Sequence, residues 1–297
     1  MKLASYVKPD GQPGYGIVAD GPAPAGVIDL GGRPDAAASL RGLLAREDWR
    51  QQVEPFTGKA PDFALEDLTF LPVIPDPDKI LCVGINYASH VIETGREMPS
   101  KPMIFTRFAN SQIGHGGAMV RPAVSERFDF EGELAVVIGR TARYVARDEA
   151  AACIAGFSCY NDGSIRDWQR HTTQFAPGKN FPATGAFGPW LVTPDEFGEV
   201  KSRRLVTRLN GRVMQSAGFD DLIFDVPTLV SYCSYFTQLE PGDVIITGTT
   251  GGVGAFRTPP VWMAPGDKVE VEISGIGTLR NTVVDESPAR AASPDWD

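Results

Sequence analysis

The stretch FDFEGELAVVIG, residues 128–139, constrains the fold more tightly than any other part of the chain. Successive side chains of an extended strand point to opposite faces. Asp129, Glu131 and Glu133 therefore share one face, and Phe128, Phe130, Gly132 and Leu134 the other. The run continues into Leu134-Ala135-Val136-Val137-Ile138, apolar on both faces, which reads as a strand buried inside a sheet. Like charges two residues apart at the mouth of such a strand repel one another and lose hydration. An ionised carboxylate out of water is costly unless it is paired or bound to a metal. An edge strand with its acids in water would satisfy the same residues, but a second segment argues against it. In GFSCYNDGSIRDWQ (156–169) another apolar run ends at Asp162, with Arg166 and Gln169 just beyond. Three carboxylate donors without His or Cys among them suit Mg²⁺ or Mn²⁺ rather than zinc. Such a cation prefers six ligands, which leaves positions for water and a chelating substrate.

The rest of the chain sets bounds on that reading. Its 297 residues, 42% hydrophobic and 22% charged, are enough for a large core and ordinary for a globular protein. A net charge of −9 lacks the basic footprint of a nucleic-acid binder. No run approaches the ~18 apolar residues that span a bilayer, so no membrane partner is expected. The N-terminus, MKLASYVKPDGQPGYG, lacks the apolar core of a signal peptide. Cys82, Cys153, Cys159 and Cys233 are scattered without a C-x-x-C pair, which suits a reducing cytoplasm rather than a disulfide framework.

Organisation follows from turns and periodicity. Residues 1–30 read as a short β meander, with PDGQPG and ADGPAPAG as its turns. Residues 35–57 carry Leu40, Leu43, Leu44 and Trp49 in a weakly helical pattern. Three prolines in LPVIPDPDKILCVG then precede a buried-strand pattern, which places a boundary between a small N-terminal domain (1–72) and a catalytic domain (73–297). Beyond it strands dominate. In PGDKVEVEISG, Val269, Val271 and Ile273 face one way and Lys268, Glu270 and Glu272 the other, as in a half-solvated strand. Helical spacing is clearest near 147–155 and 226–236, and the tail after Ser287 reads as loose. The class is α+β, rich in strands.

A second constellation lies in GINYASHVIETG. His90 and Glu93 stand three apart, on one face of a helical turn, where a carboxylate can fix the tautomer of an imidazole and support it as a general base, although H-x-x-E by itself is more often a surface pair. His171 in QRHTTQ reads as a surface residue and His115 in IGHGG as a turn residue. The Gly-rich TGTTGGVGAF is neither a dinucleotide fingerprint nor a P-loop, and RTPPVW after it cannot open a helix. Its backbone amides could still cradle a carboxylate, with Thr249 offering a hydroxyl. No G-x-S-x-G elbow points to a serine nucleophile.

Together, KILCVGINYASHVIETG (79–95), FDFEGELAVVIG, GFSCYNDGSIRDWQ, PGK (177–179), LNGRVMQ (209–215), GDVIITGTTGGVG (242–254) and PGDKVEVEISGIGTLRN resemble the fumarylacetoacetate hydrolase family. The likeness covers about residues 75–285 in the family's order. It implies a mixed β-sandwich or roll with a small N-terminal domain, usually in a homodimer. It implies one divalent cation, Mg²⁺ or Mn²⁺, held by Glu131, Glu133 and Asp162. His90 and Glu93 match a water-activating pair, with Lys179 beside them. Arg166, Gln169, Lys179 and Thr249 match substrate contacts, and Tyr87 and Arg107 are expected to line the pocket. Two departures stand out: Pro182 where many members carry an acid, and Thr250 where a proline is common.

The chemistry so implied is that of an enolate. A 2-oxo acid or 1,3-diketone chelates the open metal positions while Arg166 and Lys179 hold a carboxylate. With water delivered by His90–Glu93, a carbon–carbon bond of an acylpyruvate-type compound breaks, as in the catabolism of aromatic compounds. Without that water, the same site supports decarboxylation or isomerisation of an oxo acid. The leading expectation is the hydrolase. The alternatives are the decarboxylase or isomerase, and a non-catalytic oxo-acid binder, which would have no need of the dyad.

Overall fold

The computed structural model describes residues 1–19, 26–95 and 97–287. The expected meander forms from strands Lys2–Val7, Pro13–Ala19 and Gly26–Asp29, paired antiparallel in sequence order. Most of its ADGPAPAG turn, and the tail from residue 288, lie outside the described residues.

These strands belong to the main sheet of the molecule. Lys2–Val7 pairs with Gly185–Val192, and the order continues through Ile154–Asn161, Gly132–Ile138, Val244–Ile246 and Ile80–Gly84 to Met103–Arg107. Residues 1–72 are thus joined to the remainder by an unbroken hydrogen-bonded ladder. A second sheet runs Arg212–Gly218, Arg204–Leu209, Lys268–Ile273, Gly277–Asp285 and Ala118–Arg121. Lys268–Ile273 alternates buried and less buried residues as its sequence requires.

Gly132–Ile138 is buried along its whole length and separates two apolar cores. Leu134, Val136 and Ile138 pack towards the second sheet, with Leu205, Val271 and Leu279. Ala135 and Val137 pack on the other face, with Leu40, Leu44, Ile80 and Val244. Each buried Leu, Ile or Val is worth about 1.5–3 kcal/mol relative to leaving it in water, and this strand serves both layers at once. Its N-terminal end therefore has little freedom to move, and Glu131 and Glu133 sit there.

The helical expectations divide. Leu40–Leu44 and Trp49–Val53 are helices, as the leucine and tryptophan spacing suggested. Val226–Phe236 is a helix burying Val226, Leu229, Val230 and Cys233, one stripe at helical spacing. Residues 147–155 correct the reading: only the 3₁₀ turn Ala150–Cys153 forms before strand Ile154–Asn161 takes over, because pairing with Gly132–Ile138 outweighs a short stretch of helical preference.

Asp225 caps the helix Val226–Phe236. It accepts the backbone N–H of Thr228 (3.1 Å) and the Thr228 hydroxyl (2.7 Å), and it pairs with Arg147 (2.5 Å). Partial burial alone would raise its pKa, but these donors hold it below the ordinary 3.8. An acid depressed in this way stabilises the fold above pH 3.8, and that stability is lost as the pH falls through its folded value. Asp225→Ala is expected to cost about 0.5–2 kcal/mol in urea unfolding at pH 7, and the difference from wild type should shrink below pH 3.8.

Candidate active site

The strand carrying the acids is interrupted. Phe128–Asp129 pairs with Ser164–Ile165 in a separate ribbon, and Gly132–Ile138 begins after a break at Phe130 and Glu131. Across that break Asp162 N–H donates to the Glu131 carbonyl (2.8 Å), while Glu131 N–H donates to Asn161 Oδ1 (3.0 Å). The end of one strand thus holds the start of the other. Glu131, Glu133 and Asp162 are brought together, all buried, with one oxygen from each within 4.8 Å of the others. Oxygens bound to one Mg²⁺ at about 2.1 Å lie about 3.0 Å apart when adjacent and about 4.2 Å when opposite, so the three would draw closer together around such an ion.

Asp129 leaves the group its spacing assigned it to. Its carboxylate accepts the N–H groups of Phe130, Gly254 and Ala255 and pairs with Arg166 (2.8 Å). The Gly-rich segment does cradle carboxylates through its backbone, but they are the chain's own. Gly248 N–H donates to Glu133 (2.5 Å) and Gly252 N–H to Glu93 (2.8 Å). Both glycines have positive φ (101° and 98°), and a Cβ on Gly252 would stand 2.3 Å from the Met214 carbonyl oxygen. Only glycine places an amide there.

The cations are distributed unevenly among the acids. Lys179 Nζ donates to Asp162 (2.6 Å) and to Glu131. Arg166 donates to Gln169 Oε1 (2.9 Å) and its guanidinium pairs with Glu131 (2.7 Å). Arg107 pairs with Asp162 (2.6 Å). Burial opposes ionisation of Glu131, yet Arg166 and Lys179 hold its carboxyl at about 2. Glu133 makes no ion pair among the described residues, and burial, then repulsion from Asp162 and Glu131, pushes it well above the ordinary 4.5. Among the described residues, Arg107, Arg166 and Lys179 are the cations paired with Asp129, Glu131 and Asp162, and Glu133 pairs with none of them. An all-oxygen cluster with an unbalanced charge fits a divalent hard cation.

One cavity brings Glu131 and Glu133 of this cluster together with His90 of the dyad, while Asp162 and Glu93 lie off its wall. It is lined by Glu131, Glu133, Arg166, Gln169, Lys179 and Thr249 together with His90. His90 and Glu93 lie on helix Ala88–Thr94, and His90 Nδ1 is 2.9 Å from Glu93 Oε2. Burial would raise Glu93, but the bonds from His90 and from Gly252 N–H keep it below 4.5 and ionised. With Nδ1 so engaged, Nε2 is the nitrogen open to substrate. The strand before this helix ends at Gly84, and Ile85 follows with φ of 55°, a left-handed conformation that costs a β-branched residue about 1–3 kcal/mol and lies on the cavity wall.

Two expected pocket residues sit elsewhere. Tyr87 is fully buried, and Arg107 lies behind Asp162, where it also donates to Gly163 O, Ser111 and Thr184. Neither lines the cavity. Thr249 does, but its hydroxyl donates to Gly132 O and accepts from Gln215, so it shapes the wall rather than offering a free donor. His171 is exposed, while His115 is packed against Phe70 and accepts from Arg280 N–H. Pro182 is exposed, and neither it nor Thr250 reaches the cavity. The sequence reading missed Phe105, Arg170, Phe175 and Phe256, which complete the wall. Aromatic residues beside PGK and at the end of GGVGAF were the available signal.

Buried carboxylates that could hold a metal ion, beside a cavity lined by a histidine paired with a glutamate on a mixed strand-rich scaffold, describe the site of an enzyme. Residues 79–284 match the family described as fumarylacetoacetate (FAA) hydrolase C-terminal, and the chain belongs to the fumarylacetoacetate hydrolase family. Among its relatives is Oxaloacetate tautomerase FAHD2A, mitochondrial, of Bos taurus, 41% identical over 220 residues, 73% of this chain and 70% of that one. Oxaloacetate tautomerase YisK of Bacillus subtilis is 38% identical over 225 residues, 74% of this chain and 75% of that one. The crystal structure of a 5-carboxymethyl-2-hydroxymuconate delta-isomerase from Mycobacterium smegmatis superposes with a TM-score of 0.76 at 32% identity, over 96% of this chain and 100% of that one.

Proposed function

We propose that the chain is a divalent-cation-dependent tautomerase that interconverts the keto and enol forms of a 2-oxo acid of the oxaloacetate type. The observation that carries this reading is that His90 lines one and the same cavity as Glu131, Glu133, Arg166, Gln169 and Lys179. The names of the relatives favour proton movement over the carbon–carbon hydrolysis that the family resemblance first suggested. A cation held by Glu131, Glu133 and Asp162, Mg²⁺ or Mn²⁺, would stabilise negative charge developing on the 2-oxo oxygen. His90 Nε2 carries the proton between that oxygen and C3, the carbon next to the 2-oxo carbon, as the C2–C3 double bond of the enol forms or is lost. Glu93 keeps the imidazole oriented and supports its charged form. Gln169 accepts from Arg166 through Oε1, which leaves its amide NH₂ to donate to the substrate carboxylate. Lys179 stays protonated, because Asp162 and Glu131 outweigh its burial.

Four buried free thiols suit the reducing compartment proposed for the chain, and none of its described helices is long and apolar enough to cross a membrane. A homodimer, as the family resemblance implies, is part of the same proposal. The test is kinetic. With Mg²⁺, the protein is expected to accelerate decay of enol-oxaloacetate absorbance to the keto–enol equilibrium, with no pyruvate or carbon dioxide formed. Consumption through carbon–carbon cleavage, or no acceleration over Mg²⁺ alone, overturns the reading.

A further inference from the structure

The cations deepest in the site are already engaged. Arg166 is tied to Asp129, Glu131 and Gln169, and Lys179 to Glu131 and Asp162. With a divalent cation added, the four buried carboxylates and three buried cations sum to one positive charge, which suits one carboxylate at the head of an oxo acid. A second acidic group would need a further cation, and the cavity wall contains one. Arg170 lines the cavity next to Gln169, is exposed, and has no ion pair or side-chain hydrogen bond among the described residues.

Its placement follows from the local fold. Arg166 and Arg170 are four apart on the short helix Arg166–Gln169 and its C-cap, so they share a face about one turn, 5.4 Å, apart along the axis. Arg166 points into the acids and Arg170 stands towards the mouth. The Arg170 guanidinium lies 5.9 Å from the centre of the Phe256 ring, which in turn lies edge-on to His90 at 6.1 Å. Phe256 therefore supports the guanidinium plane beside the proposed base, and its own edge of five N–H donors remains free for a carboxylate.

Resting on the tautomerase reading, we infer that Arg170, supported by Phe256, binds the distal carboxylate of a 2-oxo dicarboxylic acid and so selects diacids over monoacids. Exposure discounts a bidentate charged pair, which sets the expected preference at no more than about tenfold.

The experiment compares oxaloacetate with 2-oxobutyrate, in which a methyl group replaces the distal carboxylate. Their dissociation constants are measured on the Mg²⁺-loaded protein by calorimetry and supplemented by kcat and KM for oxaloacetate. Wild type is expected to prefer oxaloacetate about tenfold. Arg170→Ala should abolish that gap by weakening oxaloacetate alone, raising its KM with kcat retained, and Arg170→Lys should keep part of it. A gap that persists in Arg170→Ala, or equal weakening of both acids, overturns the inference while leaving tautomerisation intact. A wild-type protein that binds neither acid in Mg²⁺ overturns the tautomerase reading, and this inference with it.

Discussion

Glu133→Gln should lose Mn²⁺ affinity by more than the 10- to 100-fold that removal of a mere supporting partner costs, and lose activity with it, while its metal-free form is at least as stable as wild type. Glu133 brings a carboxylate towards Asp162 and Glu131 with no cation of its own, so neutralising it relieves repulsion. Glu131→Ala should also lose Mn²⁺, but its metal-free form should be destabilised by about 3–5 kcal/mol, because Arg166 and Lys179 are then left buried without their shared partner. Calorimetry with Mn²⁺ and thermal unfolding in chelator separate the two. The pH dependence gives a further sign. A carboxyl raised in the folded state keeps a proton that the unfolded chain releases above 4.5. The metal-free wild type should therefore lose stability as the pH rises from 4.5 towards the folded value, and Glu133→Gln should lose less. Unchanged Mn²⁺ affinity in both variants would end the metal-site assignment.

His90→Ala should lower turnover by about 100- to 10,000-fold, the usual contribution of a positioned general base. Mn²⁺ affinity should hardly move, since His90 lines the cavity but is no member of the carboxylate cluster. Glu93→Gln should cost less. It retains a hydrogen-bonding shape towards His90 and Gly252 and loses only the charge that supports the imidazolium. Steady-state kinetics beside Mn²⁺ calorimetry checks both variants. If His90→Ala abolished metal binding while sparing turnover, the roles of dyad and cluster would be exchanged.

The sequence made the strand interior and the metal cluster visible for one physical reason. Alternation in GELAVVI is dictated by the pleat, so residues apolar on both faces had to lie between two cores, and acids at their head had to meet a partner. The same rule failed at Asp129, because a break of the chain at Phe130 and Glu131 resets the alternation. Its carboxylate was claimed instead by amides 125 and 126 residues away, a pairing no local pattern encodes. Arg107 was read as a pocket residue for a related reason. Its sequence shows a cation near the site, but only the packing of strand Met103–Arg107 pairs it with buried Asp162 and keeps it off the cavity wall. Arg170 and Phe256 sit in loops and helix ends without periodicity, so nothing in their spacing set them apart from surface residues.

The central event is movement of a proton by His90 at the carbon beside a 2-oxo group, and proton exchange reads it directly. Oxaloacetate is followed by NMR in D₂O with Mg²⁺ and wild-type protein, with His90→Ala protein, and with Mg²⁺ alone. The prediction is deuterium entering that carbon far faster with wild type than in either control, with the carbon skeleton intact. Exchange no faster than with Mg²⁺ alone, or appearance of pyruvate at the rate of substrate loss, would contradict it.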